Sequence, residues 1–295
     1  MARPALFQSA RKNYYATLLD SGVLCIVRRG SPKKGLPDKY PSNADKDSAA
    51  SIAVAQAIFD QIQAKAKLAG GRLAGQISGN KFEQVTRAFI EETFPSLHNL
   101  RPGRWDCNPA KRAIFRFEQY QHLAELAKIA EKNPEIEVSL GTDYLITPDI
   151  VIVRAPEPDE FINAQELLVD ETVALRSAIR ERNNKISILH ASISCKWTLR
   201  SDRAQNARSE ALNLVRNRKG RLPHVVVVTG EPLPSRLASL ALGTGDIDCV
   251  YHFALPELIS SVDKLGSEDS VRLVRMMVEG KRLKDIADLP LDLAV

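Results

Sequence analysis

The sequence has little cysteine, few aromatics and no long apolar run. Its four cysteines, Cys25, Cys107, Cys195 and Cys249, are scattered without CxxC spacing. Neither a disulfide framework nor a zinc site is expected, and a reducing cytoplasm fits. No stretch approaches the roughly 18 consecutive apolar residues of a membrane span. The opening residues, MARPALFQSARKNYYATLLD, lack the apolar centre of a secretory signal. Glycine and proline are not enriched, and neither a repeat nor a low-complexity tract is visible. What remains is an ordinary globular composition, 44% apolar and 26% charged over 295 residues. That length suffices for one large core or two small ones. With no linker to divide it, a single domain over residues 1–295 is expected.

The net charge is +5 with pI near 9.0. Taken alone, this is a weak pointer to nucleic acid. Its distribution says more. Residues 196–221, KWTLRSDRAQNARSEALNLVRNRKGR, hold eight Lys and Arg against two acids.

Periodicity predicts a short helix over 10–20, then a Pro-, Gly-, Ser- and charge-rich loop, RRGSPKKGLPDKYPSNADKDS. Apolar residues at helical spacing run from Ile52 to about Ala66, with Asp47 or Ser48 as the cap. A second helix is expected from near Ser78, broken at Pro95. A third should span Ala113 to Glu131, with Ile114, Phe117, Leu123, Leu126 and Ile129 as its stripe. The run DYLITPDIVIV then reads as a strand, stopped by APEPDE. Residues 163–185 read as an irregular crossover with a short helix. SILHASISCKWT is the next strand, RSDRAQNARSEALNLVRNRKG a helix, and LPHVVVVTG a strand covered on both faces. Helix, strand (DIDCVYHFAL) and helix follow. The alternation predicts an α/β fold with its sheet sandwiched by helices.

One residue breaks this pattern. Lys196 sits in the middle of an otherwise core-like strand. Alternate strand residues share a face, so Ser192, Ser194 and Lys196 point one way. Ile193, Cys195 and Trp197 point the other, into apolar packing. A buried lysine is costly unless it meets carboxylates or a phosphate. Asp149, inside the apolar run LITPDIVIV, raises the same problem with the opposite sign. Glu210 lies on the helix that follows Lys196, and Glu83 on the second helix.

An Asp, a Lys and one or two Glu on adjoining elements suit Mg²⁺ and a scissile phosphate. Mg²⁺ prefers hard carboxylate and carbonyl oxygens and stabilises the charge that builds up in phosphodiester hydrolysis. Lysine adds a cation that can position or deprotonate the attacking water. The plainer alternative is a locally hydrogen-bonded Asp and a snorkelling Lys.

Arg200, Ser201, Asp202 and Arg203 stand where that strand gives way to the helix. Helix N-termini approach phosphates and can enter a major groove. Arginine pairs bidentately with guanine, and a carboxylate accepts from the cytosine amino group. An Arg-x-Asp-Arg run thus suits G·C pairs. The alternative is Ser201 or Asp202 as a helix cap with solvated arginines. Gly243-Thr244-Gly245 is too short for a phosphate loop and reads as a turn.

The stretch HASISCKWTLRSDRAQNARSEALNLVRNRKGRLPHVVVVTGEP resembles the type II restriction endonucleases of the CCGG-recognising group, within the PD-(D/E)xK nuclease superfamily. TDYLITPDIV, GQISGNKFE, SLALGTGDIDCVYHFAL and GKRLKDIADLPLDLAV carry the same likeness. The likeness is dense over 186–255 and at the C-terminus, patchier over 71–153, and weak in 28–46 and 155–185. It implies a restriction-endonuclease-like central mixed β-sheet flanked by helices. It also implies a variant active site whose second acid is displaced onto a helix, so that Ser194 stands where an acid usually precedes x-Lys.

By resemblance, Asp149 and Glu210 hold Mg²⁺ with the Cys195 carbonyl, Lys196 is the catalytic lysine and Glu83 a supporting acid. Arg200, Asp202 and Arg203 would read the CCGG core, Arg236 and Ser48 the outer G·C pair, and Gln76 the minor groove. The implied target is GCCGGC in double-stranded DNA, cut after the first G to leave 5′ overhangs. The implied assembly is a homodimer or homotetramer, with a cognate DNA methyltransferase protecting the same site without direct contact. Two alternatives stand beside this: a repair or junction nuclease without a fixed sequence, and a non-catalytic DNA-binding protein.

Overall fold

Three runs of β-branched residues build the centre of the molecule. In the computed structural model, which describes residues 4–66, 75–107, 113–133, 135, 146–243 and 245–295, they become neighbouring strands of a six-stranded sheet. The strands are β3 (Trp105–Asp106), β4 (Ile150–Arg154), β5 (Ile188–Lys196), β6 (His224–Thr229), β7 (Cys249–His252) and β8 (Leu283–Asp285), in that spatial order. β3, β4 and β5 pair antiparallel, and β5 to β8 run parallel. The sheet is therefore mixed. Five of the six residues of β6 and all four of β7 are buried, as expected for strands covered on both faces. A separate hairpin pairs β1 (Ile26–Arg28) with β2 (Lys39–Pro41), its second strand inside the stretch expected to be loop.

The helices are α1 (Leu6–Asp20), α2 (Ala49–Ala66), α3 (Gly75–Thr93), α4 (His122–Glu131), α5 (Asp159–Ile162), α6 (Ser201–Asn217), α7 (Pro234–Ala241), α8 (Leu255–Leu265), α9 (Glu268–Glu279) and α10 (Leu289–Asp292). Alternation along β5 sorts them. Its Cys195 and Trp197 face α3, where the Trp197 ring meets Phe82 with centroids 4.9 Å apart and the Cys195 thiol bonds Thr86. Its Ser194 faces α6. One contiguous hydrophobic cluster runs from Ala10 to Leu293.

Three expectations need correction. The helix expected from Ala113 begins instead as two 3₁₀ turns, Ile114–Arg116 and Glu118–Tyr120. Tertiary bonds fix that shape. Gln119 pairs its side chain with both backbone groups of Leu189, at 2.9 and 2.7 Å, and the Tyr120 hydroxyl donates to the Leu214 carbonyl at 2.9 Å. Leu126 and Ile129, assigned to the apolar stripe, are 37% and 50% exposed. The second helix starts earlier than Ser78, at Gly75, and its end at Thr93 passes into a 3₁₀ turn, Phe94–Leu97, carrying Pro95 in its first turn. Residues 143–145 of the expected strand and Thr244 of the expected turn lie outside the described residues.

Candidate active site

β4 and β5 run antiparallel, so the start of one lies beside the end of the other. Pro148, which has no N–H to donate, precedes Asp149, and regular β4 pairing begins one residue later, at Ile150. Asp149 Oδ2 accepts the backbone N–H of Cys195 at 2.8 Å and faces Lys196 Nζ at 3.1 Å. The pair is partly shielded, with side chains 22% and 17% exposed. Burial pulls the Lys196 pKa down, but the carboxylates of Asp149 and Glu210 outweigh it and hold the ammonium above the ordinary lysine value. Lys196 is therefore a fixed cation at neutral pH.

Glu210 reaches the same face from α6, where its Oε2 accepts the Ser194 hydroxyl at 3.5 Å. Asp149, Ser194, Lys196 and Glu210 thus converge at the strand-end edge of the sheet, where β4 starts and β5 stops. The Cys195 thiol points to the opposite face, and burial pushes its pKa well up, so its main chain is the part that belongs to this edge.

Glu83 enters through an intermediary that the sequence reading missed. On α3, Arg87 bonds the Glu83 carboxylate at 2.8 Å and the Asp149 main-chain carbonyl at 2.8 Å. The four-residue spacing on one helix face was the available signal. The second bond, to a strand, was not visible from spacing.

The arginine cluster sits just beyond this edge. Arg200 is the N-cap of α6, and no side chain caps the helix, so the capping role weighed for Ser201 and Asp202 is not realised. Arg200 and Asp202 are exposed, in the half-turn that follows the strand. Arg203 is half-buried and bonds Thr198 Oγ1 at 2.8 Å.

The more distant candidates separate. Arg236, in the first turn of α7, forms an ion pair with Asp45. The backbone N–H of Ser48 bonds the Asp45 carbonyl at 3.1 Å, so Ser48 and Arg236 share a locality. Ser48 Oγ accepts the Ser51 N–H at 3.2 Å, which makes it the cap of α2. Asp45, unremarked in the sequence, accepts the Asp47 N–H and the Arg236 guanidinium and is held below the ordinary carboxylate range, with Arg200 contributing. Gln76 lies in the first turn of α3 rather than in a loop, and its side chain lies outside the described residues.

Among the described residues no three His, Cys, Asp or Glu side chains form a ready metal cage. Mg²⁺ is commonly held by one or two carboxylates, with water and phosphate oxygens completing the shell. Two carboxylates at an open, cation-bearing edge fit that mode.

Comparison with known proteins places this arrangement in a class, the type II restriction enzymes, which are site-specific deoxyribonucleases. The model of the NgoMIV restriction enzyme family matches residues 14–295, and the chain belongs to that family. The type II restriction enzyme NgoMIV of Neisseria gonorrhoeae is 51% identical over 294 residues, covering 98% of this chain and 99% of the relative. A solved restriction endonuclease PspGI–substrate DNA complex aligns over 98% of this chain and 90% of its own, at 14% identity and a TM-score of 0.33.

Proposed function

We propose that this enzyme cleaves double-stranded DNA at the palindrome GCCGGC, after the first G on each strand, in a Mg²⁺-dependent hydrolysis. The observation that carries the chemistry is the convergence of Asp149, Ser194, Lys196 and Glu210 at the strand-end edge of the sheet. In this reading Asp149 and Glu210 hold the ion, with the Cys195 carbonyl assisting. When bound, the ion supplies Lewis-acid stabilisation of the charge that grows on the scissile phosphate. Lys196 brings its positive charge to the attacked phosphate and orients the water. Glu83 acts as a supporting acid, held by Arg87. The products carry 5′-phosphates on the overhanging strands and recessed 3′-hydroxyls.

Arg200, Asp202 and Arg203 read the CCGG core from the α6 N-terminus. Arg236 and Ser48 read the outer G·C pair, and Gln76 touches the minor groove. The exposure of Arg200 and Asp202 supports this reading, as does the shared locality of Ser48 and Arg236. Arg203 must leave Thr198 to reach a base. A palindromic target asks for two-fold symmetry, so the chain acts as a homodimer or homotetramer. A main hydrophobic cluster that runs from Ala10 to Leu293 supports one domain over 1–295. No described helix is long and apolar enough to cross a membrane. The enzyme works in the cytoplasm, beside a DNA methyltransferase that protects the same site.

The test is to incubate the purified protein with plasmid DNA and MgCl₂ and sequence the ends. Uniform ends at GCCGGC are expected. Uniform ends at another CCGG-containing site would move the outer-pair assignment. Cutting without a fixed site would reject base reading, and binding without cutting would reject the active site.

A further inference from the structure

In the proposed function the core-reading residues, 200–203, and the outer-pair arginine, Arg236, come from separate segments. The sequence offers no link between them. The structure supplies one in Glu231, a carboxylate with no exposure at all. Its Oε2 accepts the backbone N–H of Leu199 at 2.8 Å, and its Oε1 accepts that of Leu233 at 3.1 Å. Leu199 immediately precedes Arg200, the cap of α6, and Leu233 is the cap of α7, whose first turn carries Arg236. Arg236 Nη1 lies 3.7 Å from Oε2, while its other nitrogen pairs with Asp45. One buried carboxylate therefore clips together the entries of two helices and touches an arginine from one of them.

A buried carboxylate is a poor way to gain stability. Taking its charge out of water is costly. Two N–H donors, the Arg236 charge and two helix N-termini offset it in part. Burial still dominates and pushes the Glu231 pKa up to about 7. The groups facing it are Arg236, Asp45 and the amides of Leu199 and Leu233. Thr229 Oγ1 holds the Glu231 N–H at 3.2 Å, and Asn43 holds the Gly230 carbonyl at 2.8 Å, so the turn that presents the carboxylate is itself pinned.

We infer that Glu231 is a positioning residue for sequence discrimination: it sets the spacing between the core-reading turn at Arg200 and the outer-pair arginine Arg236, so that both are read in one register. This rests on the base-reading roles proposed above. A carboxylate can accept both amides at once. A Gln of the same size accepts one and turns its NH₂ toward the other, so Glu231→Gln opens the clip without changing the packing volume.

The test uses the full-length enzyme and the wild type's own mapped site. Cleavage is compared on duplexes bearing that site, an outer-pair variant and a core variant, for wild type, Glu231→Gln, Arg236→Ala and the double variant. Glu231→Gln should lower discrimination against the outer-pair variant at least tenfold. In the Arg236→Ala background it should lower it no further, a non-additivity that a merely structural clip would not produce. If Glu231→Gln does not fold, Glu231→Asp keeps the charge but shortens the side chain by one methylene, so that it cannot hold both amides, and the same loss is expected. Unchanged discrimination in a folded variant, or additive losses, would overturn the role of Glu231 alone. A wild type with no preferred site would overturn the base reading and this inference with it.

Discussion

Asp149 and Lys196 lie 3.1 Å apart, and the oxygen that faces the ammonium also takes the Cys195 N–H. The strand that delivers the lysine therefore also orients the acid. Neither side chain belongs to the main-chain ladder of β4 and β5, so either can be removed with that ladder intact, Asp149→Ala giving up, among main-chain contacts, only its bond to the Cys195 N–H. Lys196→Ala and Asp149→Ala should each abolish plasmid cutting while circular dichroism and melting stay native-like. Full residual activity in either would reject the site.

Arg87 should matter without touching substrate. It holds Glu83 and the Asp149 carbonyl together. Arg87→Ala should slow cutting at least tenfold and raise the Mg²⁺ concentration needed for half-maximal rate. Arg87→Lys should recover part of the rate. A Mg²⁺ titration of cleavage rate decides this, and an unshifted midpoint would sink it.

Base reading by Arg203 predicts a loss of about 1–3 kcal/mol in specific binding for Arg203→Ala, the range for one bidentate pair. A competition binding assay between the cleaved site and a core-altered duplex measures it. Equal discrimination in the variant would leave Arg203 with only its bond to Thr198.

Gly230 has no room for a side chain. A Cβ there would stand 2.6 Å from two Trp197 ring carbons and 3.0 Å from the Trp197 carbonyl. Trp197 is wedged between Phe82 and Phe253, so it cannot yield. Gly230→Ala should cost about 1–3 kcal/mol, visible as a lower Tm, and should weaken cutting by shifting the turn that carries Glu231. An unaltered Tm would show that the ring gives way.

His252 is fully buried, and burial holds its pKa down to about 4. Unfolded, it titrates near 6.5. Between those values the unfolded chain binds the extra proton, so stability is lost as the pH falls. Relative to His252→Asn, the wild type should lose about 2 kcal/mol of stability between pH 7 and pH 5. Denaturant midpoints of both proteins at the two pH values test this, and a constant difference would place the proton elsewhere.

Much of the sheet was legible because its strands are strongly patterned. The run VVVV of β6 and the Ser-Ser-Lys face of β5 gave away both the core and the edge where chemistry sits. The first half was harder. Residues 114–120 show helical spacing, but Gln119 and Tyr120 answer to partners more than 65 residues away in sequence, and local pattern cannot register them. β8, three residues with two charges, carries too little pattern to be seen as a strand. At the candidate site, Asp149 and Lys196 were conspicuous by the cost of burying them in strands, and Glu83 and Glu210 as their possible partners on helices. Arg87, Asp45 and Glu231 were not, because each acts through main-chain atoms or a distant arginine.

α6 begins at Ser201 beside Arg200 and carries Glu210 nine residues along, about 13 Å at the rise of a helix. On the proposed roles, the turn that meets bases and the carboxylate that serves the phosphate ride on one rigid lever, the first at the start of α6 and the second near its middle. A wrong base pair that lifts the N-terminus must also swing Glu210 away from Ser194 and Lys196. On that proposal, fidelity is enforced at the cut as well as at the grip, and relaxing one without the other would require breaking the helix between them.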